Sequence, residues 1–416
     1  SKLIFATPQT VLNDVKAGRA SLKEFVLAVF DEAHRCVKDY SYTELARMYM
    51  SQAEHPLILG LTASPGGSKE RVEEITRNLF ISKIEARSED DKDVKPYIEE
   101  TKIEWVKVRL PDEFKDIREG LKALYMERVE KLRAVGLLPK DKISKKILLD
   151  SRVSIIARLN RTERNSNARG YLYGSLVNQA QAVMILHALE LIETQGVSVL
   201  NKYLCRLREN PEQGRAAKAL LKDERWTLIE EKAKSLQASF EHPKVEKLQS
   251  IVREQLNNKP SSRVIVFTQY RDTIDAILSN LAKQGFQAVK FVGQSDRVED
   301  QGMDQKTQSQ ILEKFKNNIF NILVSSSIGE EGLHIPDVDL VVFYDAVPSE
   351  IRAIQRRGRT GRTMPGRVIM LLAEDTIDES YHYSSIYKEN RMKRIISQAS
   401  SSKSKIGEPT LLDFIR

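Results

Sequence analysis

Five short β-rich runs constrain the fold of this 416-residue chain more than any other feature: Val264 to Phe267, Ala288 to Val292, Asn321 to Val324, Val338 to Tyr344 and Val368 to Leu372. Helical patterns separate them. Parallel strands need crossover connections, and a parallel sheet covered on both faces reads as apolar runs rather than as polar–apolar alternation. The runs therefore predict a parallel sheet with crossover helices over residues 241–394. The segment Phe25 to Phe30 (FVLAVF) has the same character, as does Leu57 to Leu61, and predicts a second parallel sheet with strands buried on both faces. A strand over Leu3 to Ala6 and another over Ile103 to Leu110 complete the expected β content of residues 1–110. A helix is expected from Ser68, whose hydroxyl suits an N-cap.

Between the sheets, from Pro111 to about Phe240, apolar residues recur at helical spacing (Leu121, Leu124 and Tyr125, then Ile185, Leu186, Leu189 and Ile192). An all-α inserted domain over 111–240 is predicted. It carries Lys142, Lys145, Lys146, Arg152, Arg158, Arg161, Arg164 and Arg169. Either these cations contact a polyanion or they merely solvate a helical spacer. The expected fold class is α/β: two parallel-sheet lobes, the first one incomplete, flanking an all-α insertion. A serine- and lysine-rich tail, Ser397 to Lys405, is expected to be disordered.

Polar clusters stand where these strands end. FVLAVF runs into Asp31-Glu32-Ala33-His34. Adjacent carboxylates at the carboxyl end of a buried parallel strand suit a site where Asp31 holds Mg²⁺ and Glu32 activates a water. A helix N-terminus bearing two acidic residues is the plainer alternative. Gln355 to Arg362 reads QRRGRTGR. Four arginines around two glycines suit a polyphosphate, because the guanidinium fork matches phosphate and glycine admits close approach. A solvated basic loop is the alternative.

The clusters follow one another in order: Thr7-Pro8-Gln9, Asp31-Glu32-Ala33-His34, Thr62-Ala63-Ser64, Thr268-Gln269-Tyr270-Arg271, Ser325 to Gly332, and QRRGRTGR. Six ordered blocks resemble the DEAH-signature helicases of superfamily 2. The phrasing GLTASPG, FTQYRDT, FVGQ, GEEGL and VPSEIRAIQRRGRTGR is most similar to the archaeal Hef helicases, in the group that also holds FANCM and the RIG-I-like proteins. The resemblance spans nearly the whole chain and implies two RecA-like lobes closing on ATP and Mg²⁺. It implies catalytic roles for Asp31, Glu32, Gln355, Arg359 and Arg362, the last two as arginine fingers. Nucleotide contacts fall to Gly332, His334 and Arg356, and coupling of hydrolysis to movement to His34, Thr62 and Ser64. DNA contacts fall to Thr7, Thr268, Arg271, Gly293, Gln294 and Ser326. The insertion resembles a polymerase thumb, which makes Lys145, Lys146 and Arg152 candidates to grip forked or branched DNA.

Two departures qualify the resemblance. No G-x-x-x-x-G-K-[ST] phosphate loop is present, and a lobe of this kind takes roughly 150 residues. The first lobe is expected to lack its amino-terminal part, and this stretch of chain to hydrolyse no ATP by itself. His334 stands where the family usually has an aspartate that reaches the ribose. The implied activity is an ATP-dependent DNA helicase or translocase at replication forks. An RNA-directed motor of the RIG-I-like kind and a non-catalytic DNA-binding scaffold are the alternatives.

Net charge is +8, which suits a polyanionic partner. Two cysteines, Cys36 and Cys205, lack metal-ligand spacing and give no disulfide framework, so a reducing, intracellular setting is expected, and the helicase resemblance implies a nucleoid-associated one. No apolar run reads as long enough to span a membrane. After the polar tail, Leu411, Phe414 and Ile415 resemble the short peptide that binds the PCNA sliding clamp. The alternative is a terminal helix docking on its own lobe.

Overall fold

The structure is a computed structural model that describes residues 3–63, 65–66, 68–87, 91, 101–141, 143–163, 166–210, 214–237, 241–294, 302–326, 338–346 and 366–401. The chain divides into two compact units. The first holds residues 1–100, 347–365 and 381–416, and the second holds 101–346 and 366–380.

The first unit contains α1 (Pro8–Lys16), β1 (Ala28–Phe30), α2 (Ser41–Gln52), β2 (Ile58–Gly60) and α3 (Lys69–Asn78). β1 and β2 pair in parallel. Phe30, Ala33, Leu45, Ala46, Tyr49, Ile75 and Leu79 form the core on one side of them. α3 starts where expected, with the Ser68 hydroxyl accepting from the Arg71 amide at 3.2 Å.

Two expectations fail here. Leu3 to Ala6 is not a strand, and Phe5 is 88% exposed. Nor is FVLAVF buried on both faces: only Ala28–Phe30 is strand, and Val29 and Leu59 are 53% and 43% exposed. The physical reason is common to both. A strand is fixed by ladder hydrogen bonds and covered faces, and among the described residues the sheet has only two strands and one face packed by helices.

The second unit has a six-stranded sheet in the order β3-β8-β7-β4-β6-β5, every neighbouring pair parallel. Its strands are β3 (Thr101–Val108), β4 (Val264–Phe267), β5 (Ala288–Phe291), β6 (Ile322–Ser325), β7 (Leu340–Phe343) and β8 (Gly366–Ala373). Among the described residues, α10 (Pro243–Asn258) precedes β4, α11 (Arg271–Lys283) follows it, and α12 (Gln305–Lys316) lies between β5 and β6. Alternation decides the two faces. Val264 and Val266 join Leu248, Val252 and Ile277, whereas Ile265 and Phe267 join Phe315 and Phe320.

β3 corrects the sequence-based division. Placed by sequence within residues 1–110 of the first lobe, it lies instead on the edge of the second sheet, with Thr101 through Val108 in register with Gly366 through Ala373. Its alternation is that of an edge strand: Val106 packs on the core while Trp105 is exposed.

Between β3 and β4 come α4 (Lys115–Ala134), α5 (Lys145–Arg161), α6 (Asn167–Thr194), α7 (Val197–Glu209), α8 (Arg215–Leu220) and α9 (Glu224–Leu236). Trp226, Phe114, Leu121, Ile185, Ile192 and Leu200 sit in the main core of this bundle, each such side chain contributing about 1.5–3 kcal/mol by burial. Contrary to expectation, α6 is by length and composition apolar enough to cross a membrane. It is instead the bundle's central helix, with Glu190 and Glu193 buried on it. The last helix, α13 (Ile377–Ser401), runs through Ser397–Ser401, where disorder was expected.

Candidate nucleotide and nucleic-acid sites

Asp31 and Glu32 leave the carboxyl end of β1, beside the end of β2. Glu32 adopts a left-handed backbone (φ 51°), a conformation that costs a non-glycine residue energy and marks functional turns. The kink is held on several sides. The Glu32 amide donates to Asp31 Oδ1 at 2.9 Å, the Tyr42 hydroxyl donates to the Asp31 carbonyl at 2.8 Å, and the Ala33 amide donates to the Leu61 carbonyl at 2.8 Å. The Asp31 carboxylate is left exposed.

His34 is buried, with Nδ1 at 3.1 Å from Thr62 Oγ1 and 3.2 Å from Glu32 Oε2. Burial, reinforced by Arg35 and Arg71, lowers its pKa to about 4, so the ring is neutral at physiological pH. A carboxylate only accepts, so Nδ1 must carry the proton it shares with Glu32. Thus Glu32, His34 and Thr62, separated in sequence, form one chain of contacts across the ends of the two strands.

Arg71 is a member of this corner that sequence reasoning missed. Its Nη2 donates to the His34 carbonyl at 3.1 Å. Its stem occupies the space a Cβ on Gly66 would need, 2.6 Å from Cδ, and Gly66 has φ +109°. The glycine of GLTASPG is thereby explained, and its close approach to an arginine is a signal only the fold reveals.

The fit of a hard cation follows from the donor set. Asp31 offers carboxylate oxygens, and no group of three or more metal-ligating side chains occurs among the described residues. Mg²⁺ bound through one carboxylate, waters and phosphates needs no more.

In the second sheet, Thr268, Gly293, Gln294 and Ser326 follow β4, β5 and β6 and so share one edge, as expected. Thr268 and the neighbouring Arg271 make bonds within the sheet edge. Thr268 is fully buried, and its hydroxyl donates to Asp345 Oδ2 at 2.8 Å. Arg271 is also buried, and donates to the Gly293 carbonyl at 3.1 Å. Both side chains thereby support the carboxyl edge of the sheet. Gly293 and Ser326 are buried, while Gln294 is exposed. Thr7 caps α1, its hydroxyl accepting from the Thr10 amide at 3.4 Å. In the bundle, Lys145 pairs with the buried Glu190 at 2.5 Å. Lys146 and Arg152 are exposed on α5. Ser64, Gly332, His334, Gln355, Arg356, Arg359, Arg362, Leu411, Phe414 and Ile415 lie outside the described residues.

Three family profiles match in succession: "Type III restriction enzyme, res subunit" over residues 1–67, "Putative ATP-dependent RNA helicase, helical bundle" over 113–242, and "Helicase conserved C-terminal domain" over 243–364. The crystal structure of the Pyrococcus furiosus Hef helicase domain is similar at 44% identity with a TM-score of 0.66, covering 91% of this chain and 78% of that one. The chain belongs to the Hef helicase family. Within it, parallel sheets and a helical bundle are the expected α/β architecture. "Putative ATP-dependent RNA helicase MJ1505" of Methanocaldococcus jannaschii is 38% identical over 95% of this chain and 49% of its own length. The ATP-dependent DNA helicase mph1 of Neurospora crassa is 33% identical over 96% of this chain and 35% of its own length. The Fanconi anemia group M protein homolog of mouse is 30% identical over 95% of this chain and 21% of its own length. The chain thus spans about half, or less, of these relatives.

Proposed function

We propose that the chain is the motor portion of an ATP-dependent DNA helicase or translocase that acts on forked or branched DNA during replication-fork repair. The observation that supports this most is the corner where Asp31 and Glu32 emerge from a parallel strand and His34 joins Glu32 to Thr62. In this reading Asp31 holds Mg²⁺ through water, and the ion, when bound with ATP, neutralises charge on the transferring phosphoryl group. Glu32 orients and deprotonates the attacking water. The neutral His34 ring keeps Glu32 aimed and reports its state to Thr62, with Ser64 completing the coupling. Arg359 and Arg362 supply the opposing cations, Gln355 senses the γ-phosphate or positions the water, and Gly332, His334 and Arg356 supply the nucleotide contacts; these assignments rest on sequence.

The functional division follows: a partial first lobe up to about residue 100, a thumb-like bundle over 111–240, and a second lobe over 241–394 that also takes up β3. The bundle's outer end supplies the DNA grip. There Arg158, Arg161 and the exposed Tyr171 line a groove of about 420 Å³ between α5 and α6. Lys146 and Arg152 extend the basic face along α5. Cations that meet backbone phosphates, with an aromatic ring on which a base can stack, suit sequence-independent binding. Of the sheet-edge residues, Gln294 keeps an exposed side chain that can reach a strand. Such a motor works inside the cell, with the nucleoid. The tail residues Leu411, Phe414 and Ile415 are a proposed clamp-binding peptide, which a titration of a Lys405–Arg416 peptide against PCNA tests.

An RNA-directed motor is the second reading, favoured by the names of the bundle profile and the Methanocaldococcus relative. ATP hydrolysis by the full-length protein, measured with forked DNA, linear duplex DNA and duplex RNA of equal length, separates the two. Forked DNA should stimulate most. Equal or greater stimulation by RNA overturns the DNA assignment, and absence of any hydrolysis overturns the motor.

A further inference from the structure

The C-terminal end of α6 is built into the edge of the second sheet. Its last carbonyls, which a helix leaves without internal partners, are taken by buried groups from beyond the bundle. His242 Nε2 donates to the Glu193 carbonyl at 3.1 Å and Lys244 Nζ to the Thr194 carbonyl at 3.3 Å. Lys244 continues to the Tyr344 carbonyl at 2.9 Å and to Asp378. Gly196, at φ +101°, turns the chain so tightly under His242 that a Cβ there would stand 2.8 Å from the His242 Cβ.

Gln195 sits at this turn, 3% exposed. Its Oε1 accepts from the Thr273 hydroxyl on α11 at 2.7 Å. Its Nε2 donates to Asp345 Oδ1 at 2.5 Å. The other oxygen of Asp345 receives the Thr268 hydroxyl at 2.8 Å and the Gln269 amide at 2.6 Å. One amide of the bundle thus touches a carboxylate that organises the ends of both β4 and β7. In parallel α/β sheets that carboxyl edge is where ligands are handled.

We infer that Gln195 is a positioning residue that couples the helical bundle to the working edge of the second sheet. The inference rests on the bundle gripping DNA as proposed above. α6 has 28 residues and so spans about 42 Å at 1.5 Å per residue. Arg169, Tyr171 and Tyr173 lie near its first turns. Its last turn is fixed to Asp345 through Gln195. A displacement imposed at the outer end arrives at Thr268 and Gln269 because the bonds between are buried and mutually satisfied, an arrangement that resists small distortions. Other contacts join bundle and sheet as well: Arg206 pairs with Asp272, and Arg118 donates to the Asp375 carbonyl at 2.7 Å. Those hold the two together; only Gln195 reaches Asp345 among the described bundle side chains.

Exchange of polarity tests this in the full-length protein. Gln195→Leu removes these bonds together with the one from Nε2 to the Thr194 hydroxyl at 2.8 Å, and Gln195→Glu places a second carboxylate against Asp345. The double variant Q195E/D345N reverses donor and acceptor: the amide introduced at position 345 donates to the carboxylate introduced at position 195 and still accepts from Gln269. Fork-stimulated and basal ATP hydrolysis, fork affinity and Tm are read for each. Both single variants should keep fork affinity and basal hydrolysis while stimulation falls about tenfold, a typical coupling magnitude. The double variant should regain most of the stimulation. Stimulation unchanged in Gln195→Leu overturns the inference. So does an equal loss of basal and stimulated rates that follows Tm and is not recovered in the double variant, since that is a packing effect. A wild-type protein with no fork stimulation overturns the proposed function itself, before any variant is compared.

Discussion

The corner at Asp31 and the edge at Asp345 are built from the same material, carboxylates at the ends of parallel strands, yet they treat charge in opposite ways. Asp31 is exposed and Glu32 half-buried, in a strained turn beside a sheet with one uncovered face. Asp345 is buried, with its two oxygens bonded to three donors, one from the end of α6 and two from the turn after β4. An exposed carboxylate in a tense turn can take up a cation or a proton during a cycle. A buried, saturated one cannot without dismantling its surroundings. Chemistry is therefore expected at the first and mechanical linkage at the second, and substitution should divide rate effects from stability effects along that line.

The largest effect expected is on rate. Glu32→Gln in the full-length protein keeps size and backbone but removes the base, and ATP hydrolysis should fall about 10²–10⁴-fold. Tm should hardly move, because Glu32 is not part of a core. Single-turnover hydrolysis and a melting curve check both halves. A rate within a few-fold of wild type would erase the contrast between the two regions.

On the other side, the effect should be on folding. Lys244 is fully buried against Asp378. Burial raises the pKa of Asp378, opposed by Lys244. Lys244→Met strands that carboxyl and leaves the Thr194 and Tyr344 carbonyls without their donor, for a loss of about 3–5 kcal/mol. Urea denaturation measures it. A loss under about 1 kcal/mol, the surface-pair range, would show that the edge is not the anchor described.

How much of this contrast the sequence disclosed depends on whether the signal is local. The Ser68 cap, the unbroken apolar run of Val264 to Phe267 and the polar turns after each strand are properties of a few neighbouring residues, and all were legible. The partner of Thr101–Val108 was not, since alternation identifies a strand without saying that it pairs with residues 366–373. Arg271 and Thr268 looked like phosphate ligands because they open a helix after a strand. Only the fold shows that they also bond to Asp345 and to the Gly293 carbonyl. Gln195 carries no pattern at all: its partners are 78 and 150 residues away.

Acid should expose the same difference more gently. The pKa of His34 is lowered to about 4 and that of His242 to about 3, both chiefly by burial. An unfolded histidine protonates near 6.5. The unfolded chain therefore binds the extra protons first, so stability is present above about pH 6.5 and is lost as pH falls toward 4 for His34 and 3 for His242. The slope is at most about 1.4 kcal/mol per pH unit for each ring. Urea midpoints at about pH 7 and pH 4.5 report the sum. His242 lies at the buried edge and His34 at the corner, so His34→Asn should flatten only part of the slope. Complete flattening would mean that His242 opens to solvent.

The smallest effects separate two neighbouring lysines. Lys145 neutralises Glu190 inside the bundle, whereas Lys146 points outward one residue later. Lys145→Ala should cost about 1–3 kcal/mol, the penalty for a buried acceptor that loses a donor, and leave fork affinity as it was. The pair Lys146→Glu with Arg152→Glu should leave the unfolding midpoint in place and weaken fork binding. The slope of log affinity against log salt should become shallower by about 0.9 for each phosphate that is no longer neutralised. Fluorescence anisotropy at several salt concentrations reads the slope. If Lys145→Ala flattens it instead, the ion pair with Glu190 opens when DNA binds, and Lys145 belongs to the grip after all.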